Sequence, residues 1–136
     1  MSNLDFAETF LEAAGEGVPR EMQGRSLVRL LKGDTPADWR KSFYYHYYEY
    51  PGPHKVRRHY GVVTARYKLV HFYESDMNYW ELFDREKDPH ELRSVHGQKE
   101  YAEAQQELEK ELARLRAELK VPETDPPESL IKPRGR

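Results

Sequence analysis

Hydrophobic positions along the chain change period twice, and the changes set its layout. Over residues 3–14, Phe6, Phe10, Leu11 and Ala14 return at helical spacing, which predicts a short helix. Asn3 or Asp5 can cap it, and Gly15, Gly17 and Pro19 end it. A second short helix is predicted over residues 26–32, with Ser26 as cap and Gly33 as stop. Residues 34–41 read as a loop with Trp39 as its hydrophobic anchor.

From Ser42 the period shortens to two. Ser42–Tyr48 is dense in Phe and Tyr, which favour strands. Pro51, Gly52 and Pro53 interrupt it. Further strands are predicted over Tyr60–Thr64, Tyr67–Tyr73 and Trp80–Asp84. In the third, Tyr67, Leu69 and His71 share one face, and Lys68, Val70 and Phe72 the other. Short connections, one of about two residues, imply antiparallel pairing. Period 3.6 then returns. Tyr101, Gln105, Leu108, Leu112, Leu115 and Leu119 make one stripe on a helix from about Glu100 to Leu119. The expected fold class is α+β: a four-stranded antiparallel sheet packed against a long C-terminal helix, with short N-terminal helices. Residues 121–136 hold Pro122, Pro126, Pro127 and Pro133 and read as an extended or disordered tail.

Composition narrows the chemistry. The 136 residues carry a formal charge of −2, so no strong field draws the chain to nucleic acid or an anionic membrane. Interleaved aromatic and basic residues over 43–73 would suit nucleic acid, but that charge and the acidic C-terminal helix argue against it. Ten Tyr speak against general disorder. Cysteine is absent, which excludes disulfides, thiolate metal sites and a cysteine nucleophile. No apolar run approaches a membrane span, and the N-terminus shows no signal peptide. No phosphate-binding glycine loop and no G-x-S-x-G occur.

Six His residues are the obvious reactive groups. A metal site could use His46, Glu49 and His54, but the spacing matches no metal signature. The segment Pro51–Tyr60 is richer: His54, Lys55, Arg57, Arg58 and His59 place five cationic or potentially cationic groups within six residues. Such a loop either pairs with phosphate, sulfate or carboxylate or is simply hydrated. Glu81, Asp84, Glu86, Asp88 and Glu91 lack the ligand pattern and glycine of a calcium loop and read as structural, with Asp84 capping backbone amides.

Several segments together resemble one family. Residues 2–15, then Met22-Gln23-Gly24-Arg25-Ser26-Leu27 with Leu30-Leu31-Lys32-Gly33, look like the last helix of the sulfatase catalytic domain and the signature after it. Tyr60-Gly61-Val62 with Arg66-Tyr67-Lys68-Leu69, and Trp80–Asp84 with Lys87–Leu92, look like the strands and closing turn of the sulfatase C-terminal subdomain. Tyr48–His54 resembles the arylsulfatase, N-acetylglucosamine-6-sulfatase and N-sulfoglucosamine sulfohydrolase types. The chain departs from the pattern at Val63, where Arg is common, and at Arg93-Ser94, where Asn is.

The resemblance implies a division into residues 1–33, terminal helices of the catalytic domain; 34–120, the C-terminal subdomain; and the tail 121–136. Sulfatases hydrolyse sulfate esters or sulfamates with a formylglycine from a Cys/Ser-x-Pro-x-Arg motif, beside calcium bound by Asp and Asn. No serine here has Pro at the second and Arg at the fourth following position. The nucleophile, and the calcium implied for a full-length sulfatase, would therefore lie before Met1. This chain is expected to hold no catalytic residue, cofactor or metal. Its implied partners are the N-terminal catalytic domain and, in the whole enzyme, a sulfated sugar or aryl sulfate. Substrate-binding residues are expected at His54, Arg57, Arg58 and His59, on a loop reaching the active-site rim. A homo-oligomer through Phe6, Phe10, Leu27, Leu30 and Leu31 is a further expectation. A full-length sulfatase would be periplasmic, secreted or lysosomal. The alternatives are a free-standing anion-binding or interaction domain and a small enzyme using its His residues.

Overall fold

Aromatic and β-branched side chains, alternating in direction, pair into the sheet that the period-two segments predict. A computed structural model describes residues 2–50 and 55–125. Strands β1 (Ser42–Tyr47), β2 (His59–Thr64), β3 (Tyr67–Glu74) and β4 (Met77–Asp84) form one antiparallel sheet in the order β1-β2-β3-β4. Two-residue turns join β2 to β3 and β3 to β4. Thr64 closes the first, its Oγ1 accepting from the Tyr67 amide at 2.9 Å. Strand β4 starts at Met77, three residues before the predicted segment, because the Ser75-Asp76 turn lets Glu74 pair Met77.

Helix α3 (Ala102–Glu118), entered through a 3-10 turn at Lys99–Tyr101, lies on one face of this sheet. The core is a seam in which Leu108, Leu112 and Leu115 meet Val62, Leu69 and Leu82, one residue from each of the three later strands. Tyr101 joins it, while Leu119, the predicted end of the stripe, is 41% exposed. Asp84 closes the sheet's end. It is buried, accepts two hydrogen bonds from Arg66, at 3.0 and 2.7 Å, and one from the Glu86 amide. The Arg66 bond, above all, lowers its pKa to about 2.

The chain divides into two compact units that part between Arg40 and Lys41. In the first, α1 (Asp5–Ala13) and α2 (Val28–Leu31) both fall inside their predicted ranges. Asp5 is the first residue of α1 rather than its cap, and the N-cap residue Leu4 makes no side-chain bond, whereas Ser26, just before α2, accepts from the Val28 amide at 3.2 Å, in line with its expected capping role. Helix α1 is inverted. Its buried residues are Asp5, Glu8 and Thr9, whereas Phe6 and Phe10 are 47% and 71% exposed. The polar face is inside because it has partners there. The Asp5 carboxylate accepts from the amides of Ser2 and Arg25 and is paired with Arg40. Thr9 Oγ1 donates to the Asp5 carbonyl and accepts from the Leu27 amide at 2.9 Å. Burial alone would raise the Asp5 pKa, but Arg40 and the amides outweigh it and hold it below the ordinary value. Gly24 is required here, since a Cβ would drive into the Leu4 carbonyl and the Glu8 carboxylate. Leu27, expected to be exposed, is buried under its bond to Thr9, while Leu31 is 77% exposed. Trp39 lies beneath the guanidinium groups of Arg25 and Arg40, 4.9 and 5.2 Å from its ring.

Two substitutions separate these roles. Asp5→Ala should cost about 1–3 kcal/mol by orphaning buried donors, whereas exposed Phe10→Ser should cost at most about 0.5 kcal/mol. Denaturant titration of both variants checks the contrast. Leu112→Ala, at the centre of the seam, should cost about 2–5 kcal/mol by the same measurement.

Candidate functional site

The cationic residues lie where β1 and β2 diverge, at the end of the sheet away from the leucine seam. Alternation along β2 sends neighbouring side chains to opposite faces, and it divides the predicted site. Arg58 lies on the face that α3 covers. Its Nε donates to the carbonyls of Tyr48 and Tyr50, both at 3.1 Å, and its Nη2 donates to Tyr50 at 2.6 Å. Asp125 and Glu74 stand 3.5 and 3.6 Å from it. His59 lies on the other face, stacked on Tyr47 and beside Phe72 at ring separations of 5.5 and 5.1 Å. Its Nδ1 meets the Arg57 carbonyl at 2.8 Å, so that nitrogen carries the proton. Arg57 is the most available of the three. It pairs with exposed Asp76 at 2.9 and 3.0 Å and lies 4.4 Å above the Tyr50 ring. An exposed pair of this kind is weak, and a stronger anion can displace it. His54 lies outside the described residues.

A polar chain that no spacing in the sequence marks runs along the covered face. Tyr73 Oη donates to Asp125 at 2.8 Å and so accepts from His46 Nε2 at 2.7 Å. His46 Nδ1 is then left to accept from Tyr44 Oη at 2.9 Å. Arg116 of α3 stands 3.5 Å from that hydroxyl and 4.2 Å above the Tyr60 ring. The bonds all point one way, from the Arg116 cation to the Asp125 carboxylate, and each polarises the next. His71 is held similarly between Tyr60 and Asn78 and stacks on Trp80 at 4.0 Å. Among the described residues, no three His, Asp or Glu side chains form a metal-holding group. His46, one of the three residues whose spacing matched no metal signature, is engaged by two tyrosines.

Burial pushes the His46 pKa down to about 4, with Arg116 and His59 adding to it and Asp125 opposing. Burial also lowers His71. For both, the unfolded chain binds the proton more readily. Their contribution to stability is complete above about pH 6.5 and is lost as the pH falls toward about 4 for His46. Melting temperature should therefore fall between about pH 7 and about pH 5, above the range in which a carboxylate such as Asp84, held low by Arg66, starts to lose its own contribution. His46→Gln should flatten that slope, and NMR titration should find the His46 ring neutral at pH 5. A ring that titrates near 6.5 would contradict the packing described.

The chain as a whole is similar to known proteins. The family described as "N-sulphoglucosamine sulphohydrolase, C-terminal" matches residues 1–118. An N-acetylglucosamine-6-O-sulfatase of Bacteroides thetaiotaomicron is 47% identical over 131 residues, which are 95% of this chain and 23% of that protein. A solved structure in complex with its substrate, D-glucosamine-2-N,6-O-disulfate, superposes with a TM-score of 0.81 at 48% identity, over 88% of this chain and 24% of the other. The phosphonate monoester hydrolase of Silicibacter pomeroyi superposes with a TM-score of 0.64 at 25% identity, over 84% of this chain and 24% of the other.

Proposed function

The chain belongs to the N-sulphoglucosamine sulphohydrolase C-terminal family, and from that premise we propose that it completes the substrate cleft of a sulfatase acting on a sulfated amino sugar. The observation that carries this reading is the 47% identity across 95% of the chain to an N-acetylglucosamine-6-O-sulfatase, of which the matched part is 23%. The chemistry agrees. The chain has no Cys and no serine in a Cys/Ser-x-Pro-x-Arg context, so the nucleophile must come from elsewhere in the enzyme. Among the described residues no three acidic or imidazole side chains gather into a group that would hold calcium. When bound in the catalytic part, calcium would supply charge stabilisation to the sulfuryl group.

In this reading His54 and Arg57 contact the substrate at the rim. Arg57 offers a guanidinium that trades the Asp76 carboxylate for a sulfate or sugar oxygen. Arg58 is consumed by backbone carbonyls and supports Arg57 through Tyr50. The exposed Phe6, Phe10 and Leu31 are the surface offered to the rest of the enzyme.

The 136-residue chain alone should release no sulfate from N-acetylglucosamine 6-sulfate or from an aryl sulfate. Turnover by the pure chain, abolished by a substitution within it, would overturn the reading. In an enzyme that carries the catalytic part, His54→Ala should raise KM or lower kcat/KM roughly twofold to a hundredfold on the sulfated sugar. Unchanged kinetics in a folded variant would return His54 to an ordinary surface residue.

A further inference from the structure

Asp125 lies beyond residue 118, where the family match stops, yet two networks converge on it. Helix α3 ends in a tight reversal. The Val121 amide donates to the Arg116 carbonyl at 2.9 Å, and Lys120 takes a left-handed backbone with φ 51°. The chain then lies against the sheet end and brings the Asp125 carboxylate to Tyr73 Oη at 2.8 Å and Arg58 Nη1 at 3.5 Å. Tyr73 and His46 anchor that carboxylate from the sheet side.

What Asp125 holds is the guanidinium that closes the β1–β2 connection. Arg58 binds the Tyr48 and Tyr50 carbonyls on the outgoing limb while belonging itself to the returning limb. The Tyr50 ring in turn lies beneath Arg57. On the returning limb Lys55 is left-handed, with φ 53°. A lysine keeps such a backbone only where its surroundings fix it. Support therefore runs from Asp125 to Arg58, from Arg58 to Tyr50, and from Tyr50 to Arg57.

We propose that Asp125 is a positioning residue for the cationic connection: acting through Arg58 and Tyr50, it fixes where Arg57 presents its charge. The segment after α3 is thus a working part of the rim. The positioning stands independently of the sulfatase reading; only its consequence for a sulfated substrate rests on it.

Limited trypsin digestion of the 136-residue chain tests this directly, because Lys55 and Arg57 are themselves cleavage sites. Asp125→Ala should speed cleavage after both by about tenfold, since cleavage follows the population of the opened connection. Arg58→Lys should do the same, because an ammonium keeps the charge but cannot bridge two carbonyls in a fixed fork. Asp125→Glu should restore most of the protection. Cleavage after Arg114 and Arg116, within α3, serves as the control and should not change. Unchanged cleavage at Lys55 and Arg57 in Asp125→Ala overturns the proposal. So does an equal rise at Arg114 and Arg116, which would show general loosening. Should Asp125→Ala fail to fold, Asp125→Asn decides by the same comparison, since it keeps an acceptor for Tyr73 and loses only the charge.

Discussion

The leucine seam between α3 and the sheet is the constraint from which the cationic end takes its geometry. Leu108, Leu112 and Leu115 can meet Val62, Leu69 and Leu82 together only at one rotation of the helix. That rotation puts Arg116, the residue after the last seam leucine, over Tyr60 and beside Tyr44. It also fixes where the helix ends, and so where the following segment crosses the sheet. An apolar contact thereby places two charges, Arg116 and Asp125, at opposite ends of one hydrogen-bonded chain.

That chain occupies space that apolar side chains could otherwise fill, and its orientation explains how the sheet tolerates it. His46 is satisfied only in one tautomer, with Tyr44 donating to it and Tyr73 accepting from it. A directed chain of this kind costs little while every member is paired and much when one is missing. Helix α1 follows the same rule. Asp5 and Thr9 are inside because the amides of Ser2, Arg25 and Leu27 and the Arg40 guanidinium are there to meet them.

Much of the architecture was legible in the sequence. Alternation over Tyr67–Tyr73 gave the correct faces of β3, and the leucine stripe gave α3 to within a turn at each end. Local periodicity failed where burial is decided by distant partners. Phe6 and Phe10 are exposed, as their expected role at an interface requires, but nothing within the stripe reports that Asp5 is drawn inside by the Arg25 amide and Arg40. The cationic cluster was visible as a cluster, but its division was not drawn. Strand alternation through β2 would have set Arg58 and His59 apart, whereas the grip of Arg58 on Tyr48 and Tyr50 needs the fold. Asp125 in a proline-rich tail carried no local signal, since its partners lie 52 and 67 residues away.

Those separations bear on the order in which structure forms. Each strand pairs with its neighbour in the chain, so the β2–β3 and β3–β4 hairpins close over two residues and lose little loop entropy. Such local pairing favours rapid assembly, with α3 docking onto a sheet that already exists. The Arg58–Asp125 contact spans 67 residues and needs both the sheet and the seated helix before it can close. The cationic rim thus depends on contacts that local pairing cannot supply, and it shares the fate of the seated helix.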